Sequence, residues 1–356
     1  MLERLRDIQF GYLPYQPGAK SPGDRRRFPA VAQKLGLNWE IYRPGKAYDV
    51  IYVTSNSDLT VFHRWPQDGT KLIYEMVDSY LAVPTWEPLG LVRGIGKWIF
   101  RKHKHLEPSY RKTVAAVCRR ADLVICSTPE QREQMTGLSP NVHSILDMHE
   151  ELGGLPSVGP APGKKRFDIF WEGLGLTATH FSIVAPVLRE LNEEFPLRLH
   201  FLTDLKYRPI NAPIPLLETK RMLDKTLPGL EFYLAEWNPV SVRAIANQAD
   251  LGIIPLRLNE PLFRAKPENK LLLMWRLGLP VVTSATPAYV RTMQSYGGPD
   301  WSCRTTQEWA QNLHQALADG EARSRAAQKG AAYAEAEYGV EALLGRWICA
   351  LETLLV

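Results

Sequence analysis

The chain has 356 residues, 45% hydrophobic and 23% charged, which fits about two ordinary domains with cores to bury. The charged opening MLERLRDIQF reads as no signal peptide, no apolar run reaches 18 residues, and Cys118, Cys126, Cys303 and Cys349 are too scattered for a zinc site or disulfide framework. These features point to a cytoplasmic protein in a reducing compartment. The net charge of +5 lies entirely before residue 151, where 21 basic residues meet 16 acidic ones; that half is expected to face something acidic, such as a membrane surface, a phosphorylated acceptor or nucleic acid.

In chain order, the first strand is predicted at Ile8–Tyr12. Ser21-Pro22-Gly23-Asp24 can then cap a helix over Arg25–Leu35. Further strands are predicted at Trp39–Tyr42, Asp49–Thr54 and Lys71–Val77. Asp78 closes the last of these, where a carboxylate could act as a base toward a hydroxyl or simply cap the next helix. A helix over Ser109–Arg120 leads to a strand at Asp122–Cys126, and Thr128-Pro129-Glu130 opens another helix.

Between these elements runs L-G-L-V-R-G-I-G-K-W-I-F-R-K-H-K-H-L, residues 89–106. Leu89, Val92, Ile95, Ile99 and Phe100 can share a helical face with Trp98 at its edge, and Arg93, Lys97, Arg101, Lys102 and Lys104 supply charge. This is the composition of an interfacial helix on anionic lipid; the alternative is a helix packed on the N-terminal sheet. The run is not a P-loop, and it lacks any recognised nucleic-acid-binding module, so no nucleic-acid partner is expected.

Gly153–Lys165, rich in Gly and Pro, reads as a linker between a domain at residues 1–152 and a second at 166–335, with a closing helical stretch at 336–356 able to pack back on the first domain. Strands are predicted at Phe167–Trp171, Leu197–Leu202, Leu230–Tyr233, Asp250–Pro255 and Pro280–Thr283. Helices are predicted at Thr177–Glu194, Val240–Gln248, Asn269–Leu277 and Thr306–Leu317. Such alternation predicts two α/β doubly wound, Rossmann-like domains facing across a cleft.

The run D-L-G-I-I-P-L from Asp250, a loop bearing Arg257, Arg264 and Lys266, and K-P-E-N-K-L-L-L-M-W-R-L-G-L-P-V-V carry the chemistry. A helix starting near Glu268 or Asn269 offers backbone N–H groups and a dipole suited to a diphosphate. Lys266 and Lys270 flank that terminus. The other reading is solvated cations on a βα loop. Gly173 and Gly175, after the strand at Phe167–Trp171, allow a backbone to approach a ligand or form a tight turn, and Glu172 points into the same region.

Pro267-Glu268-Asn269-Lys270 before Gly278-Leu279-Pro280-Val281-Val282, and the preceding A-D-L-G-I-I-P-L, resemble the donor-binding segment of GT-B glycosyltransferases, especially the retaining family 4. The sequence departs from that family in two places. Leu273 stands where most members carry a Glu that bonds the donor ribose, and the loop W-E-G-L-G-L-T-A-T-H lacks the usual phosphate-binding cations. Glu260 and Glu268 show an EX7E spacing, but out of register with the Gly-x-Pro-Val ending.

The resemblance implies a glycosyltransferase that moves a sugar from a nucleotide sugar to a glycan or lipid-linked acceptor in surface polysaccharide synthesis. It would be hexosyltransferase-like, retaining, without cofactor or metal, and peripheral at the inner face of the membrane. The donor would meet Gly173, Gly175, Trp237, Arg264, Lys266, Glu268, Asn269 and Lys270; the acceptor would meet Arg25, Arg26 or Arg27, and His149 beside Asp147 and Glu150; Asp78 and Glu172 are the catalytic candidates. A sugar-nucleotide epimerase of the same fold and a non-catalytic nucleotide-sugar-binding pseudoenzyme are the alternatives.

Overall fold

β-Branched runs alternating with helices become two parallel sheets in a computed structural model, which describes residues 2–82, 95, 98–99, 103–107, 109–150, 166–208 and 216–355. The chain divides into two units. The first comprises Met1–Met148, Ala265–Pro267 and Tyr338–Val356; the second comprises His149–Arg264 and Glu268–Glu337. The expected linker at 153–165 and most of the basic segment at 89–106 lie outside the described residues.

In the first unit the order is α1 (Leu2–Arg6), β1 (Gln9–Leu13), α2 (Pro22–Arg26), α3 (Phe28–Leu35), β2 (Asn38–Ile41), β3 (Val50–Thr54), α4 (Leu59–Phe62), β4 (Lys71–Met76), α5 (Tyr110–Arg120), β5 (Leu123–Cys126), α6 (Pro129–Gln134) and β6 (Val142–Ser144). The strands lie in the order β2-β1-β3-β4-β5-β6, every pairing parallel. The connections reverse direction between β1 and β3, so ligand binding is expected at the carboxyl ends of those strands. Every residue of β3 is buried, as a strand covered on both faces requires. One core cluster joins Phe10, Tyr12, Phe28, Tyr52 and Ile125; the other joins Ile51, Tyr74, Val114 and Val124.

The predicted helix over Arg25–Leu35 is two helices, broken at Arg27 (φ −126°, ψ −135°). Pro29 explains the break: it has no N–H, and its ring would strike the carbonyl of Arg25 in a continuous helix. Ser21 starts α2 with a capping box, its hydroxyl accepting from the Asp24 N–H while the Asp24 side chain accepts from the Ser21 N–H.

The second unit runs β7 (Phe167–Glu172), α7 (Ala185–Glu194), β8 (Leu197–Thr203), β9 (Lys206–Tyr207), β10 (Leu217–Glu218), α8 (Thr219–Thr226), β11 (Glu231–Glu236), α9 (Pro239–Ala246), β12 (Leu251–Ile254), α10 (Pro261–Arg264), α11 (Asn269–Arg276), β13 (Val281–Ser284), α12 (Pro287–Ser295), β14 (Ser302–Cys303), α13 (Thr306–Ala318) and α14 (Gly320–Tyr338). Its main sheet has the order β11-β8-β7-β12-β13-β14, again parallel throughout. Here the connections reverse direction between β7 and β12. Ile169, Trp171, Phe181, Leu199, Phe201, Leu251 and Trp309 share a buried cluster.

Thr177–Glu194, predicted as one helix, is a 3-10 stretch over Gly175–Ile183 followed by α7. Pro186, in the first turn of α7, cannot donate backward, so the α-helix begins there. Thr177 and Thr179 in the 3-10 stretch donate their hydroxyls to the carbonyls of Leu174 and Leu176.

The final helix, α15 (Val340–Glu352), belongs to the first unit. Its Leu343, Trp347, Ala350 and Leu351 are buried in the cluster that holds Phe28 and Tyr52. Among the described residues, no helix is long and apolar enough to cross a membrane.

Candidate functional site

The carboxyl ends of β7 and β12 collect most of the second unit's candidates. β7 ends at Glu172, which is 7% exposed and accepts a hydrogen bond from Trp237 Nε1 at 3.0 Å. The chain then turns at Gly173, whose N–H donates to the Leu202 carbonyl. A side chain at Gly173 would strike Lys270 Nζ and would come within 3.0 Å of the Trp171 ring. Glycine thus leaves the space in which the Lys270 ammonium sits, 4.9 Å from the Trp171 ring centroid.

Lys270 is the second residue of α11, so its charge lies beside a helix N-terminus. The residue before the helix, Glu268, supplies no side-chain cap. Its carboxylate is 1% exposed and receives Arg291 at 2.7 Å. A carboxylate here would oppose an incoming anion; Arg291 offsets that charge from α12. α11 lies close on the sheet because Gly252 has no side chain: a Cβ there would stand 2.8 Å from Met274 Sδ.

Tyr289, also on α12, is 2% exposed. Burial first, then the charges of Glu268 and Glu172, push its phenol well above the ordinary range. It stays a neutral hydroxyl. The loop after β12 is braced at both sides. Leu256 N–H donates to Ser284 Oγ at 2.7 Å, and Arg257 donates to the Thr179 carbonyl at 3.2 Å. Phe263 of α10 meets the buried His180 ring edge-on at 4.2 Å.

Glu172, Gly173, Glu268, Asn269 and Lys270 therefore lie on elements that end or begin at one switch point, and Trp237, after the edge strand β11, reaches it through its bond to Glu172. Gly175 has a different task. Its N–H donates to Asp204, and a Cβ would stand 2.9 Å from Thr219 Oγ1, so its missing side chain serves packing against the stretch after β8. Arg264 is exposed at the end of α10. Leu273 is 1% exposed in the core, without a polar atom to present. The sequence reading missed Trp171, Tyr289 and Arg291; the Thr286-Pro287 helix start was the available signal for the last two.

Lys266 falls in the first unit, where its Nζ is 2.6 Å from Asp78 Oδ1. Asp78, a catalytic candidate, and Lys266, a donor-binding candidate, are thus ion-paired with each other within the first unit.

At the first unit's switch point, the loop after β1 is organised by Asp24. Its buried carboxylate accepts from Tyr12 Oη and from the N–H groups of Tyr15, Gln16 and Ser21. Tyr15 donates to Glu75 at 2.7 Å, and its carbonyl accepts from Asn56 Nδ2 at 3.0 Å. Arg25 is exposed, its Nε donating to the Lys20 carbonyl; Arg26 is 8% exposed. Arg27 is fully buried, paired with Glu75 at 2.5 Å and Asp147 at 2.9 Å, so it is a core residue and cannot serve as an acceptor contact. His149, in the second unit, is 3% exposed.

No protein-family model matches the sequence, and no curated protein matches it. Solved structures do share its fold. The chain is similar to Anabaena HepE, solved in complex with UDP-glucose, over 97% of this chain and 100% of that one, at 13% identity and a TM-score of 0.59. Sucrose-phosphate synthase from Thermosynechococcus elongatus matches over 92% of this chain and 76% of that one, at 14% identity and a TM-score of 0.57. S. aureus TarM, in a structure with UDP, matches over 85% of this chain at 8% identity and a TM-score of 0.58; the chain spans about half of TarM, 55% of its length. The fold is that of the GT-B glycosyltransferases.

Proposed function

We propose that the chain transfers a sugar from a nucleotide sugar to a glycan or lipid-linked acceptor, with the donor at the β7/β12 switch point. One observation carries the reading: Lys270 Nζ, seated over Gly173 and Trp171, lies beside the N-terminus of α11. That pairing of a cation with helix N–H groups suits the diphosphate of a leaving nucleotide. The neighbouring structures with UDP-glucose and UDP support this donor class.

In this account Lys270 stabilises charge as the glycosidic bond to phosphate breaks. Glu172, oriented by Trp237, faces the sugar side of the site and fixes its hydroxyls or the developing positive charge. Transfer with retention follows from the likeness of the α11 entry to family 4. The acceptor is assigned to the first unit, near the Asp24-ordered loop and Arg25.

The test is incubation with UDP-, GDP-, ADP- and dTDP-sugars, following release of the nucleoside diphosphate with and without EDTA. Slow release from one donor, unchanged by EDTA, is expected. No release from any donor, or release abolished by EDTA, contradicts the reading; interconversion to an epimeric nucleotide sugar without release assigns the site to an epimerase instead.

A further inference from the structure

We propose that Tyr289 is a further donor-binding residue, its phenol donating a hydrogen bond to a diphosphate oxygen of the nucleotide sugar at the β7/β12 switch point. The inference rests on the reading of that point as the donor site, and it gives a task to a residue that reading leaves unused. Tyr289 lies in the first turn of α12, which starts just after β13, the neighbour of β12, ends. Thr286 fixes that turn, its hydroxyl accepting from the Tyr289 N–H at 3.1 Å. Two residues on, Arg291 donates at 2.7 Å to Glu268, the residue before α11, and Thr292 donates to the same carboxylate oxygen at 3.5 Å. The helix that carries Tyr289 is thereby tied to the end of α11 that bears Lys270.

The side chain is 2% exposed, yet its hydroxyl has no hydrogen-bond partner among the described residues. Tyr296, just past the same helix, shows the usual arrangement: it is also buried, and its hydroxyl donates to the Pro299 carbonyl at 2.6 Å. A phenylalanine at 289 would fill the same space without burying a polar group, so packing alone gives no reason for the oxygen. An acceptor on a ligand does. Burial first, then Glu268 and Glu172, hold the phenol protonated, so it meets that ligand as a neutral donor on the side of the two carboxylates. A phosphate oxygen suits it. Such an oxygen only accepts, and it takes the phenol hydrogen while Lys270 and the N–H groups of α11 meet its charge.

The test is titration calorimetry of UDP, GDP, ADP and dTDP, and of a sugar ester of each, with the wild type, Tyr289→Phe and Tyr296→Phe. Tyr289→Phe is expected to weaken the nucleoside diphosphate that the wild type binds by roughly tenfold or more, the loss of one hydrogen bond to a charged group. Its nucleotide sugar is expected to weaken by the same factor. Thermal unfolding without ligand should find Tyr289→Phe at least as stable as the wild type, because the oxygen removed has no internal partner. Tyr296→Phe loses an internal bond, so it should be less stable with its affinity unchanged. Wild-type binding with equal affinity in Tyr289→Phe overturns this inference and leaves the donor site standing. So does a loss confined to the nucleotide sugar, which would place the hydroxyl on the sugar, or an equal loss in Tyr296→Phe, which would be a packing effect along α12. No binding of any nucleotide by the wild type overturns the donor reading, and this inference with it.

Discussion

Gly173 shows how a single hydrogen atom sets a charge. Its missing side chain leaves the place that Lys270 Nζ occupies, and its φ of +157° is one that L side chains rarely adopt, so Gly173→Ala should displace the ammonium and strain the turn after β7. The loss resembles that of one charge-assisted contact, about 1.5–3 kcal/mol, or roughly 10- to 100-fold in nucleoside diphosphate affinity. Titration calorimetry on the variant and on Lys270→Ala checks this; similar losses in the two support it, and unchanged affinity in Gly173→Ala refutes it. At this scale the sequence was partly readable. Lys270 and Asn269 stood out because the helix start and the Gly-x-Pro-Val ending bracket them. Gly173 and Gly175 looked equivalent, and only the neighbours separate them: Lys270 beside one, Thr219 and Tyr207 beside the other. Trp171 and Tyr289 were not readable as site residues, because strand order and helix packing bring them there from distant sequence.

At the scale of elements, proline placement decides where two helices break. Pro29 and Pro186 each end a run that hydrophobic spacing alone extends too far. The first break carries a further consequence. Arg27, at the junction of α2 and α3, enters the core and binds Glu75, Asp147 and the Ile145 carbonyl. Burial works hardest against the Arg27 charge, but Glu75 and Asp147 together outweigh it and raise its pKa well above the ordinary arginine value. Arg27→Met removes that charge and leaves the fully buried Glu75 beside Tyr15 and Tyr52 without its cation. A stability loss of about 3–5 kcal/mol is expected in denaturant unfolding of the first unit's transition. Adding Glu75→Gln should recover part of it, whereas a loss below about 1 kcal/mol would show the network to be dispensable. The strand positions were legible from β-branched runs, but the role of Arg27 was not: three consecutive arginines look alike until the helix break buries Arg27 completely and leaves Arg25 exposed.

For the whole molecule, the sequence alternation was enough to expect doubly wound α/β units, because covered parallel strands must be apolar throughout. Membership of the units was harder. Ala265–Pro267 and α15 join the first unit from far along the chain, a consequence of packing that no local period encodes. The same non-local packing pairs Lys266 with Asp78. The uneven charge remains the clearest global feature: the first 150 residues hold the whole excess, including the basic run at 89–106, while the second unit concentrates a cation at its switch point. The account rests most on that switch point holding a nucleoside diphosphate. The direct measurement is thermal unfolding of the wild type and Lys270→Ala with UDP, GDP, ADP and dTDP, since a ligand bound only to the folded state raises the midpoint saturably. The account predicts a saturable rise for at least one of them in the wild type and a much smaller one in Lys270→Ala; no rise with any of them, or an equal rise in both proteins, would contradict it.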